Sequence, residues 1–249
     1  MTDGDKLALL NGRLGALGIN APPGGAENLL RYQALLEMWN GRMNLTGDAS
    51  FGALLDRHLM DSLSPLTVAG LLPEHASVID VGSGAGLPGI PLAVMRPDLS
   101  LTLLDSLQKR VGFLQLVAES LELGNVTAVH ARAEDAARDV RYRERFSVAA
   151  ARAVAPQPVL AELLLPFVRP GGAWLAYKGP TVGEELPSGQ AAAGILGGGK
   201  LRVIRITLPD LPEHRLCLAT GDKLRPTPDR FPRKAGTPAK QPLGIENQE

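Results

Sequence analysis

A single cysteine, Cys217, stands in a chain of 249 residues, so no intrachain disulfide framework can form and nothing points to an oxidising compartment. Between Leu216 and Leu218 it reads as a small buried hydrophobe. No group of cysteines and histidines has metal-ligand spacing. No excess of one charge exists either: 26 basic side chains balance 26 acidic ones, which excludes a generally polycationic nucleic-acid binder. No apolar run reaches the length needed to span a bilayer, and Asp3 and Asp5 are the wrong flank for a secretion signal. A cytoplasmic address, with no membrane and no obligate protein partner, is the expectation.

What is present is a core. With 45% hydrophobic residues the chain can bury one without being divided. Tyr32, Leu35, Leu36, Trp39 and Met43 recur at helical spacing, as do Leu54, Leu55, Leu59, Leu63 and Leu66. These predict a helical region over 1–70. Strand-like runs then alternate with helix-like ones: 77–81, a helix from Gly89, 101–104, a helix over 107–122, 126–130, 146–151 and a helix over 159–167. That alternation predicts a parallel sheet covered on both faces. Past Pro170-Gly171-Gly172, 173–177 gives a fifth strand, and 202–208 with 215–219 are too close for a parallel crossover. They predict an antiparallel hairpin, hence seven strands with one reversed. The sheet region is bounded as 71–222, and 223–249 is an irregular tail rich in proline and basic residues.

The most informative segment is Val78 to Pro91, V-I-D-V-G-S-G-A-G-L-P-G-I-P. A short apolar strand runs into alternate glycines that can take positive φ and let a ligand approach bare backbone, where open α/β sheets hold adenosine-bearing cofactors. Two cofactors fit, because Gly84, Gly86 and Gly89 with Asp105 downstream also spell a dinucleotide fingerprint. Asp80 would repel a pyrophosphate but suits the cationic amino group and sulfonium of S-adenosyl-L-methionine, and Pro88 removes an N–H that a phosphate would use. A nicotinamide-dependent oxidoreductase is the rival.

Asp105, at the end of the second strand, is a candidate acceptor for two ribose hydroxyls or a local cap, with Ser106 as N-cap of a helix starting at Leu107. Lys109 and Arg110 lie in that helix's first turn, where the dipole disfavours cations, which invites an RNA-phosphate role. Glu134 reads as an adenine contact or an exposed helix-start carboxylate. Arg152 and Lys178 end the fourth and fifth strands, where such folds place ligands, and are the catalytic candidates or snorkelling surface cations. His58, Asp61 and Ser62 share a helix face but cannot reproduce hydrolase triad geometry. Arg141, Arg143, Arg145 and the tail cations Arg225, Arg230, Arg233 and Lys234 are either solvated surface or a face for a polyanion.

Trp39-Asn40, Asn44-Leu45-Thr46, His58 to Leu63, Asp80 to Pro91, Leu104-Asp105-Ser106 with Lys109-Arg110, Arg132-Ala133-Glu134, Arg152 to Ala155, Lys178-Gly179 and Phe231 to Pro238 together resemble the bacterial 16S ribosomal RNA 7-methylguanosine methyltransferase family, also called glucose-inhibited division protein B. The resemblance runs from about Leu29 to Leu243. It implies an α/β Rossmann-like S-adenosylmethionine-dependent methyltransferase with a seven-stranded, mostly parallel sheet, one antiparallel strand and an N-terminal helical extension. It also implies methyl transfer to N7 of one guanine in a decoding-region loop of the small ribosomal subunit. By the same carry-over Gly82, Leu87, Asp105, Ser106, Leu107, Ala133, Glu134 and Arg152 would contact the cofactor, alongside Asp80 and Gly84; His58, Asp61, Lys109, Arg110, Arg233 and Lys234 make up the set expected at the RNA. The chain departs from the family pattern at Ala131, Phe231 and His214-Arg215. A ribosome-assembly factor that binds RNA without turnover is the non-enzymatic rival.

Overall fold

The computed structural model describes residues 1–208 and 211–245. The side chains of 208 and 211–215, and with them His214 and Arg215, lie outside the described residues. The chain opens with helix α1 (Asp3–Ala16), started by a reciprocal Thr2/Asp5 capping box, and α2 (Gly25–Met43). A compound helical segment follows: α3 (Phe51–Ala53), a π-helical stretch over Leu54–Leu59, α4 (Met60–Leu63) and a 3₁₀ turn over Ser64–Thr67. The α/β part comprises β1 (Ser77–Val81), α5 (Gly89–Met95), β2 (Ser100–Asp105), α6 (Gln108–Ser120), β3 (Val126–His130), α7 (Ala133–Ala136), β4 (Phe146–Arg152), α8 (Gln157–Leu164), β5 (Val168–Lys178) and α9 (Val182–Ile195). It closes with β6 (Arg202–Leu208), β7 (Leu211–Asp222) and α10 (Thr237–Lys240).

The sheet order is β3-β2-β1-β4-β5-β7-β6. All neighbours from β3 to β5 pair in parallel, while β7 runs antiparallel to both β5 and β6, so one strand is reversed as expected from the short 202–219 connection. Between β1 and β4 the order changes direction, which opens a crevice above the carboxyl ends of those strands. Alternation along the strands feeds two cores. Val78, Leu103, Ala150, Leu175 and Tyr177 face the N-terminal helices with α5 and α6; Ile79, Val81, Ala149, Trp174 and Ala176 face α8 and α9. The 1–70 helices thus share one core with the sheet. Tyr32 of α2 donates from its buried hydroxyl to the Ala85 carbonyl at 2.8 Å, which ties that helix to the glycine loop. Cys217 is buried, as its neighbours suggested.

Several elements differ from the expectation, among them α10, a helical turn inside the stretch expected to be irregular tail. Pro170-Gly171-Gly172 lies inside β5, at an irregularity in the β4–β5 register between Phe146 and Val148. Gly171 takes φ +84°, and a Cβ at Gly172 would stand 2.5 Å from the Ser147 carbonyl, so the glycines permit a bulge and the strand starts at Val168, ahead of the expected 173. Helix α9 has no counterpart in the expected order; Pro187 and three glycines mask it. Helix α6 begins at Gln108, so Ser106 is not its cap. The Asp105 carboxylate accepts the Leu107 N–H instead, at 2.9 Å.

Candidate active site

At the carboxyl edge of β1, Gly82, Gly84 and Gly86 all take positive φ (+77°, +56° and +95°). A side chain at Gly82 would also meet Val154, 2.9 Å from its Cβ position. Gly89 serves differently: a Cβ there would collide with Leu103 and stand 2.9 Å from Asp80 Oδ2, so its absence lets α5 press its first turn onto the sheet. The Gly89 N–H donates to Asp80 Oδ2 at 3.0 Å, while Asp80 Oδ1 is buried and takes no hydrogen bond among the described residues. Burial pushes the Asp80 carboxyl up to about 7 against the opposing pull of the Gly89 N–H. Asp105, also buried, accepts the Gly84 N–H and the Leu107 N–H, both at 2.9 Å, and Arg110 approaches it to 3.7 Å. The Arg110 charge at a helix start is therefore offset by Asp105 inside the fold, a local reason for it that does not involve RNA. Lys109 remains exposed.

Around the crevice, Ser106 is exposed, Ala133 half-buried and Leu87 buried. Leu107 and Val154 are 43% and 39% exposed, unusual for large apolar side chains, and they leave β2 and β4, the two strands flanking β1. Glu134 is neither exposed nor free: its Oε1 accepts the Gly236 N–H at 2.8 Å, which ties the tail to the β3 end of the edge. An orphaned buried carboxylate oxygen, bare backbone at positive φ and two exposed apolar side chains fit a cationic amino-acid ligand carrying a flat base.

On the other half of the edge, Arg152 Nη2 donates to His58 Nδ1 at 2.8 Å and Asp61 Oδ2 at 3.2 Å. His58 Nε2 lies 3.0 Å from the Thr46 hydroxyl. Asp61, Arg152, Ala153, Ala155, Tyr177, Lys178, Gly179 and Leu216 line a cavity beside this cluster. Lys178, expected as a catalytic or a snorkelling cation, is ion-paired: its ammonium donates to the Ala155 carbonyl at 2.8 Å and to Glu185 at 2.7 Å. Glu185 belongs to α9, the helix hidden by proline and glycine, so sequence reasoning had no means of finding it. Thr46 lies within the quoted Asn44-Leu45-Thr46 motif and was the one legible signal for the histidine's partner.

Of the basic clusters at 141–145 and in the tail, several members are paired within the fold, while Arg225 and Arg230 are exposed. Arg233 forms a forked pair with the fully buried Glu162 (2.6 Å at Nη2) and donates to the Gln241 carbonyl, so its charge is neutralised within the fold. Arg143 donates to the carbonyls of Ala137, Thr227, Pro228 and Phe231, Arg138 to those of Arg230 and Pro232, and Arg141 pairs with Asp139. Lys234 stays exposed.

A switched α/β sheet of this order with this glycine edge defines a Rossmann-like S-adenosylmethionine-dependent methyltransferase. The fold is shared at 20% identity and a TM-score of 0.51 with a crystallised Agrobacterium tumefaciens protein described as a predicted O-methyltransferase, over 66% of this chain and 81% of that one. The model of the family "GidB: rRNA small subunit methyltransferase G" matches residues 25–210, and the chain belongs to that family. Its relatives include ribosomal RNA small subunit methyltransferase G of Symbiobacterium thermophilum, 45% identical over 94% of this chain and 97% of that protein. The same-named protein of Deinococcus deserti is 47% identical over 91% and 92%. The nicotinamide reading of the glycine motif is thereby set aside.

Proposed function

We propose that this protein transfers a methyl group from S-adenosylmethionine to N7 of one guanine in a decoding-region loop of 16S rRNA in the small ribosomal subunit, and that it works in the cytoplasm. Among the described residues no helix is long and apolar enough to cross a membrane. The cofactor supplies an electrophilic methyl group on a sulfonium sulfur. Asp80, Gly82 and Gly84 would hold its amino-acid end, Asp105, Ser106 and Leu107 its ribose, and Leu87, Ala133 and Glu134 its base. The Asp105 oxygens each keep a lone pair beyond the amide they accept.

The observation that carries the N7 reading is His58, whose two ring nitrogens are both engaged, by Arg152 and Thr46. It is not available to remove a proton from a substrate. N7 of guanine carries an in-plane lone pair and no proton, so transfer to it needs no base, only alignment of the reacting atoms. A cation aimed at N7 would hinder as positive charge develops there; Arg152 suits O6 or a phosphate. Lys178, held by Glu185, braces the cavity wall. An unpaired or splayed loop base is the accessible form, because the RNA major groove is deep and narrow. Lys109 and Lys234, with Arg225 and Arg230, are exposed cations that would meet the RNA backbone.

The test is transfer of labelled methyl from S-adenosylmethionine to small subunits from cells lacking this protein, with nucleosides resolved by mass spectrometry. A single new 7-methylguanosine is expected. Cofactor binding without transfer would overturn the substrate.

A further inference from the structure

Resting on that reading, we propose that His58 is a positioning residue: as the neutral imidazole with its proton on Nε2, it fixes the Arg152 guanidinium at the wall of the acceptor cavity. Arginine can only donate, so His58 Nδ1 must accept from Arg152 Nη2 across their 2.8 Å contact. The ring proton is then on Nε2, donated to Thr46 Oγ1. One tautomer and one charge state satisfy both neighbours.

The contact directs the arginine, while Asp61 offsets its charge. Both hydrogens of Nη2 have distinct destinations, one at His58 and one at Asp61, and this fixes the plane of the guanidinium. Arg152 Nη1 and Nε make no hydrogen bond among the described residues, and the residue lines the cavity with Tyr177 and Lys178. Three N–H groups of a residue that lines the cavity are therefore without a partner among the described residues. The histidine is itself held: the Ser62 hydroxyl donates back to the His58 carbonyl at 2.6 Å, and Tyr177 of β5 donates to the Ser62 carbonyl at 3.1 Å. The π-helical stretch carrying His58 is thus pinned to the sheet, and such stretches recur at functional sites.

The charged groups facing the ring are Arg152 from β4, Asp61 from α4, Arg57 from the same π-helical stretch and Asp48 from the loop before α3. Burial and the Arg152 charge hold His58 below the ordinary imidazole range, and Asp61 opposes them. Protonation would leave an imidazolium facing a guanidinium with no acceptor between them, and Arg152 would be displaced.

The experiment pairs two variants in single-turnover transfer to unmethylated small subunits at saturating S-adenosylmethionine, from about pH 5.5 to 8.5, with cofactor affinity measured alongside. The wild type is expected to lose rate on the acid side. His58→Gln, whose amide can accept from Arg152 and donate to Thr46 without titrating, should keep most of the alkaline rate and lose that acid limb. His58→Leu should be slower at every pH, by up to about 100-fold for a misplaced group. An acid limb unchanged in His58→Gln, or a wild-type rate in His58→Leu, would overturn the proposal. Imidazole ¹⁵N shifts give a readout without turnover: the Nε2–H tautomer is expected, with titration moving to higher pH in Arg152→Met as the neighbouring charge is removed. An Nδ1–H tautomer, or titration indifferent to Arg152, would overturn the role of His58 even in an active enzyme. A silent wild type with the expected shifts would instead overturn the rRNA reading and leave the His58–Arg152 contact standing.

Discussion

Arg152 and Arg233 each meet a carboxylate, yet the fold uses them in opposite ways. Arg233 closes a fork on Glu162, donates again to the Gln241 carbonyl, and leaves the tail locked to α8. Its neighbours Arg138 and Arg143 do the same with main-chain carbonyls. Arg152 gives one nitrogen to His58 and Asp61, lines a cavity, and keeps three N–H groups that have no partner among the described residues. Cation density along a sequence therefore says little about polyanion binding. Donors left without a partner at a concave edge say more.

Four outcomes would break or sharpen this contrast. The largest is in stability. Removing Arg233 strands the buried Glu162, so Arg233→Ala should cost about 3–5 kcal/mol of folding free energy, read from urea midpoints; a shift within about 0.5 kcal/mol would mean that the tail pair holds nothing. Next is Arg152→Ala, expected to slow methyl transfer by about 10²–10³-fold, as when one preorganised donor is removed, while costing less stability than Arg233→Ala. Equal stability losses would merge the two classes of arginine.

The third outcome concerns pH on the cofactor half. Asp80, raised to about 7 in the fold, is protonated below that pH. S-Adenosylmethionine affinity should therefore weaken as pH falls through about 7, by up to about tenfold per unit, and Asp80→Asn should flatten that dependence. Stability moves the other way. The folded protein holds a proton on Asp80 that the unfolded chain, with its pKa near 3.8, releases. Asp80 therefore subtracts stability progressively as pH rises from about 4 to 7. The smallest effect belongs to the exposed cations: Lys109→Ala or Lys234→Ala should leave stability within about 0.5 kcal/mol and lower the salt slope of RNA binding by about one. An unchanged slope would remove that lysine from the interface.

Much of this was legible in the sequence. Val78–Pro91 announced strand, glycine turn and helix, and the three positive φ values follow from it. The short link between 208 and 215 forced the reversed strand, which begins earlier, at Leu211. What escaped reading has local causes. Pro170-Gly171-Gly172 looks like a turn because a bulge needs the same residues. Pro187 hid α9, and with it Glu185, the partner of Lys178. Arg143 and Arg233 looked like a basic face because their partners, Thr227 and Phe231 carbonyls and Glu162, lie 71 to 88 residues away along the chain. Glu134 likewise finds Gly236 across 102 residues. Periodicity reports which face of an element is buried, and long-range polar pairing leaves no trace in it.

The most direct measurement is single-turnover methyl transfer to unmethylated small subunits by Arg152→Ala and Arg233→Ala side by side, with each rate expressed per folded molecule. Arg233→Ala is expected to keep the wild-type rate within a few-fold while Arg152→Ala loses about 100-fold or more. A folded Arg152→Ala protein that transfers as fast as the wild type would contradict the role of Arg152.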